Sequence, residues 1–242
     1  MKKRLPLFRL LIFAVLALAL PAQARAFTPQ VQPELVAVDR ENRAVSFSAV
    51  VTARKWQDHV AGKSRNEKDF DPDHWHLIIS ATHANQAVGR LAIFSAWASD
   101  EQISEALAAL GAKGEPFDKR SFSQRLDPDS SYPDLRPRGS RVQVYVTWSG
   151  LFGITRTVEA NEFLKSSTGR KLEPVYIGKQ SSSHCIVCLY GCVGAICPNR
   201  SLSVRDYFDR GAEWRLRSGI LPEDGTEVLI TLKLLESGRR CP

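Results

Sequence analysis

Sulfur is scarce in this chain of 242 residues, which holds one methionine and five cysteines. The scarcity is uneven, because four of those cysteines crowd into the thirteen positions from Cys185 to Cys197. Also missing are a repeat, a low-complexity linker and a long block of like charge, so nothing divides the chain into several domains. Past the N-terminal segment no apolar run is long enough to cross a bilayer. No phosphate-binding loop, Ser-His-Asp order or paired-carboxylate context stands out, and five scattered histidines do not make an active site. A stand-alone enzyme is therefore not the expectation.

What is present begins with an address. Lys2, Lys3, Arg4 and Arg9 precede the apolar run Leu10 to Leu20, and Ala24-Arg25-Ala26 follows as a small-x-small cleavage site. This is the pattern of a Sec-type signal peptide over residues 1–26. It predicts a periplasmic or otherwise exported protein, a single domain over residues 27–242, and no stable membrane insertion after cleavage. The formal charge of +7 includes five basic residues of that segment, so the remainder carries about +2. Its Lys and Arg are dispersed among 26 acidic residues, which is not the clustered basic face that nucleic-acid binding requires.

The remaining pattern predicts an α+β fold: a mainly antiparallel β-sheet with two or three short helices and a cysteine-rich loop. Glu34 to Asp39 and Ala44 to Thr52 form a hairpin around the turn Asp39-Arg40-Glu41-Asn42. Residues 54–73 are polar and acidic and are expected to be a loop. It feeds a strand at His74-Trp75-His76-Leu77-Ile78-Ile79. His74 and His76 share one face of that strand, a spacing usable by a metal, although the ordinary reading is the polar face of a half-buried strand. Ser99 with Gln102 marks a helix over 100–110, which Gly111 ends. Residues 113–140 read as an irregular loop. Its Asp127-Pro128-Asp129-Ser130-Ser131 lacks the glycine and glutamate of a calcium loop, which would fall at Tyr132 and Arg138. Arg141 to Trp148 alternates as a strand, Val158 to Lys165 suggests a short helix, Ser203 caps another through Phe208, and Glu227 to Leu235 is the last strand.

The cysteine stretch, residues 184–199, carries the chemistry. Cys185-x2-Cys188-x3-Cys192-x4-Cys197-Pro198 has one residue more in each of its last two gaps than a bacterial iron–sulfur run. Four thiolates so spaced are candidate ligands for an iron–sulfur cluster, or for zinc, with His184 as an alternative fourth ligand. A c-type haem is excluded because Leu189 follows Cys188. Catalytic dithiol exchange would place the Cys185/Cys188 pair early in a βαβ pattern, and it lies late in the chain. An exported chain also allows the opposite reading without a cofactor, in which disulfides staple the loop and Cys241 pairs or is left over.

Trp75-His76-Leu77-Ile78, then Glu105 to Ala112, then Val142 to Trp148, then Cys185-x2-Cys188-x3-Cys192 with Asn199 beyond, resembles the YdjY-domain family of exported bacterial proteins. The resemblance covers most of the mature chain. It implies a ferredoxin-like exported protein with a metal or iron–sulfur site at Cys185, Cys188 and Cys192. The leading expectation is that Cys185, Cys188, Cys192 and Cys197 hold an iron–sulfur or other thiophilic metal centre serving electron transfer or metal handling, with a redox protein as partner. Two departures stand out: Val193 takes the place where the family commonly has proline, and Pro198-Asn199 stands where it has a Ser-Asn pair; Cys197 is an addition that could supply a fourth ligand or a disulfide partner. The alternative function is a disulfide-stapled interaction module that binds its partner through the sheet face or the 113–140 loop.

Overall fold

The computed structural model describes residues 35–61, 76–81, 91–115, 117, 135–179, 183–209 and 211–236. The chain divides into Met1–Gln32 and a compact unit Pro33–Pro242, and the elements below belong to the second. The signal segment, His74, the 127–131 cluster and Cys241 lie outside the described residues.

Among the described residues twelve strands and four helices follow one another: β1 (Ala37–Asp39), β2 (Ala44–Val51), α1 (Ala53–Val60), β3 (Leu77–Ala81), β4 (Phe94–Ala96), α2 (Asp100–Ala109), β5 (Gly114–Glu115), β6 (Arg138–Ser149), β7 (Thr155–Glu159), α3 (Ala160–Phe163), β8 (Leu164–Ser166), β9 (Val175–Tyr176), β10 (Cys185–Cys188), α4 (Val204–Phe208), β11 (Trp214–Leu216) and β12 (Glu227–Leu234). The main sheet runs β10-β3-β4-β2-β12-β6-β5, with β1 on β2, and β7 and β9 on β6; β8 and β11 form a separate pair. Among the named strands every pairing is antiparallel except β3 with β4; the isolated bridge of Val187 with Cys197 is also parallel. The α+β expectation with a mainly antiparallel sheet is what the fold shows.

Period-2 alternation builds the core. Phe47 of β2, Ile230 of β12 and Val146 of β6 stand in one row across three strands, and all three are buried. Val45, Leu232 and Val144 form the next row. Burying each such side chain contributes roughly 1.5–3 kcal/mol. Strand β3 is buried at all five positions, as a strand covered on both faces must be, which is why Leu77-Ile78-Ile79 reads as an unbroken apolar run. Helix α2 begins where Ser99 and Gln102 cap each other reciprocally. It packs against both β2 and β10.

The sheet closes on itself. After β10 the chain turns back and residues 195–198 run beside it: Ile196 N–H donates to Cys185 O at 3.0 Å, Cys197 N–H to Ile186 O at 2.8 Å and Cys188 N–H to Cys197 O at 3.3 Å. The other edge of this returning segment accepts from β9 and its successor, Val175 N–H to Pro198 O at 3.0 Å and Ile177 N–H to Ile196 O at 2.9 Å. Since β9 pairs with β6, the ladder of backbone hydrogen bonds is continuous from β10 through β3, β4, β2, β12, β6 and β9 back to β10. The cysteine stretch is the seam of this ring.

Three expectations change. Residues 54–60 are helical rather than a loop. The N-terminus of α1 is capped from far along the chain, Asp224 accepting from the N–H of Arg54 at 2.8 Å and of Lys55 at 3.3 Å, and buried Trp56 holds the helix down. The helix expected over 158–165 is one turn, Ala160–Phe163, between β7 and β8: pairing of β7 with β6 and of β8 with β11 claims the residues on either side. The cysteine stretch is likewise not a loop at its start, because Cys185–Cys188 is a buried strand paired with β3.

Candidate metal centre

A regular strand would point Cys185 and Cys188 to opposite faces, since they are three residues apart. Strand β10 is not regular. Its register against β3 shifts twice, between the pairs Cys185↔Ser80, Val187↔Ile79 and Cys188↔Leu77, and such irregularities re-aim side chains. As a result the Cys188 thiol lies against both the Cys185 and the Cys192 thiols. The chain is then anchored beyond the strand: Leu189 N–H donates to His76 O at 2.9 Å, fixing the residue that precedes β3 opposite the end of β10.

That anchoring brings the His76 ring onto the sulfur. His76 Nδ1 is 3.1 Å from Cys188 Sγ, and a donor atom from each of His76, Cys188 and Cys192 lies within 4.8 Å of the other two. Around one tetrahedral zinc-like ion, with bonds of about 2.0–2.3 Å, donors stand about 3.3–3.8 Å apart. The three residues can converge on a single ion once the wider of their separations draws in. His76 is 5% exposed and Cys188 fully buried; Cys192 is partly exposed.

Tyr207 of α4 sets the imidazole. Its hydroxyl is 3.3 Å from His76 Nε2 and its ring meets the imidazole edge-to-face at 4.7 Å. When Nε2–H donates to the hydroxyl, Nδ1 presents its lone pair to the two sulfurs. This is the outer support that metal-binding histidines use. Helix α4 is itself placed by Ser203, whose Oγ accepts from Asp206 N–H at 3.1 Å while Asp206 accepts from Ser203 N–H at 2.7 Å.

Backbone N–H groups point at the sulfurs: Tyr190 N–H donates to Cys188 Sγ at 3.4 Å, and the N–H groups of Gly194 and Ala195 bond Cys192. These favour thiolate, but they do not prevail in the metal-free protein. Burial, followed by the neighbouring Cys185 thiol, pushes Cys188 well above its ordinary value. The adjacent Cys188 thiol and then burial do the same to Cys192, and burial raises Cys185. One divalent ion would reverse the balance, since two thiolates and a neutral imidazole around it would leave no net charge in the interior. Among the described residues no carboxylate belongs to the group, so this donor set suits a thiophilic ion rather than calcium or magnesium.

Of the four cysteines singled out by spacing, the structure joins Cys188 and Cys192 with His76. Cys185 touches this group through Cys188, and Cys197 stands outside it, its thiol raised by burial alone. All four are free thiols, so among the described residues the stapled-loop alternative has no disulfide. His184 turns elsewhere, with a left-handed φ of 55° and Nδ1 3.7 Å from Asp100, which also pairs with Lys179 at 3.6 Å. The reading of His76 as the polar face of a half-buried strand is corrected by its burial. Sequence spacing missed Tyr207, which nothing near the cysteines announces, and the structural part played by Asn199. Buried Asn199 donates to Leu189 O at 2.8 Å and accepts from the N–H of Glu173 at 2.9 Å and Ser201 at 3.0 Å, fixing both ends of the loop that carries Cys192.

A closed, mainly antiparallel sheet whose seam holds a buried His-Cys-Cys group defines an α+β domain with a candidate thiolate metal centre. The chain belongs to the YdjY-domain family, which matches residues 36–233. Neither a curated protein nor a solved structure matches it.

Proposed function

We propose that this chain is an exported metal-handling protein that binds one thiophilic ion, zinc being the type, through His76 Nδ1 and the sulfurs of Cys188 and Cys192. The observation that carries the reading is the convergence of these three donors within 4.8 Å, with Tyr207 orienting the imidazole. A single ion suits this group better than an iron–sulfur cluster does. The irons of a cluster are themselves spread apart, so its thiolates must surround a larger body, and Cys197 is not in the group. A zinc-like ion carries no electrons, which favours metal handling over electron transfer. The export part of the reading rests on the N-terminal pattern of residues 1–26.

The test is the native mass of the mature protein, purified without oxygen, set against its denatured mass. One metal ion per chain, lost on denaturation and absent from Cys188→Ala, is the expected result. Iron with inorganic sulfide, retained only while Cys197 is present, would replace the single-ion reading with the cluster. No excess mass would remove both.

A further inference from the structure

The three donors are not held alike. His76 and Cys188 are buried and belong to the β3–β10 ladder, tied by Leu189 N–H to His76 O at 2.9 Å. Cys192 sits on the loop after β10, partly exposed and followed by partly exposed Val193 and Gly194. The loop is fastened on either side of it: Asn199 N–H donates to Tyr190 O at 3.0 Å, and Ser183 Oγ bonds Gly194 O. Cys192 is therefore the most exposed residue of the three, on a loop held between two fixed points, with its sulfur bonded by the N–H groups of Gly194 and Ala195. Among the described residues three donors converge, which leaves a fourth tetrahedral position for an incoming ligand.

From this asymmetry we infer that Cys192 is the exchange ligand, and that the ion is a cargo passed to or from a soft-donor acceptor, a thiol of a partner protein or of a small molecule. The inference rests on the single-ion reading. An incoming R–SH takes the fourth position as thiolate, forming a metal–sulfur bond. The bond from the metal to Cys192 Sγ then breaks, and the proton released by R–SH ends on Cys192, so charge and electron count are unchanged. His76 and Cys188 hold the ion until the acceptor supplies further sulfurs.

Protein loaded with one Zn2+ is mixed in stopped flow with increasing amounts of a small dithiol, and released zinc is read with a chromogenic chelator at fixed concentration. In the wild type the release rate rises in proportion to dithiol. Cys192→Ala holds zinc more weakly, releasing it ~10-fold faster and with little further gain from dithiol, because the metal–Cys192 bond that the incoming thiol displaces is already absent. Cys185→Ala behaves as wild type, and circular dichroism confirms that each variant is folded. A wild-type rate independent of dithiol, or equal loss of zinc from Cys192→Ala and Cys188→Ala, overturns the inference while leaving the metal site in place. A wild type that holds no zinc overturns the metal reading itself.

Discussion

Cys188 and Cys197 are both fully buried thiols, and what distinguishes them is company. Cys188 faces an imidazole and two other sulfurs, whereas the raised thiol of Cys197 reflects burial alone. Cys197→Ala should therefore keep a full complement of metal and lose only about 1 kcal/mol of stability for the small cavity. Cys188→Ala should lose the ion altogether; metal content and chemical denaturation of the two variants read the difference. Asn199→Ala strands buried Leu189 O, at about 1–3 kcal/mol, and the part-buried N–H groups of Glu173 and Ser201 at less, and should cost several-fold in metal affinity.

The thiols also set a pH dependence. All four described cysteines are raised above an ordinary value near 9 in the folded chain. A group raised in this way contributes stability that is intact below its unfolded value and is lost as pH climbs toward the folded one. The metal-free protein should thus melt at a lower temperature at pH 10 than at pH 8, and Cys197→Ala should show a shallower fall. Identical slopes in thermal melts would mean that the Cys197 thiol is not held protonated by burial.

At the scale of elements, the site depends on a bulged strand, a tight loop and a capped helix. Gly191 shows how close these lie: a Cβ there would come within 2.8 Å of Leu202 O and of the Ser203 carbonyl carbon, both backbone. Gly191→Ala should push the Cys192 loop away from the start of α4, lowering metal affinity and stability together. Ser99→Ala gives the contrast. It removes the cap of α2, at about 1 kcal/mol, and should leave metal content unchanged. The α2 cap was legible because Ser99, Gln102 and the apolar positions after them are local. Helix α1 was not, since its cap, Asp224, comes from 170 residues away.

At the scale of the whole molecule, β12 is the keystone. It lies between β2 and β6 along nearly its full length, so the ring cannot close until the C-terminal strand has arrived. Truncation after Asp224 should leave the chain without a cooperative unfolding transition, and Ile230→Ala, at the centre of the core row, should cost about 2–5 kcal/mol. Differential scanning calorimetry of both checks the point.

The sequence by itself determined the alternation of β2, β6 and β12, the capped helices α2 and α4, the antiparallel α+β class, and the cysteine stretch as the seat of chemistry. Each of these is written in residues close together in the chain, where periodicity and capping act. Only the tertiary structure decided that the sheet closes through residues 195–198 and that β10 is bulged. It also decided which donors meet: His76 arrives from 112 residues away, oriented by Tyr207 of α4, while Cys197, nine residues from Cys188, stays out. Spacing along the chain limits which thiols can meet, but the ladder register and the packing of α4 choose among them.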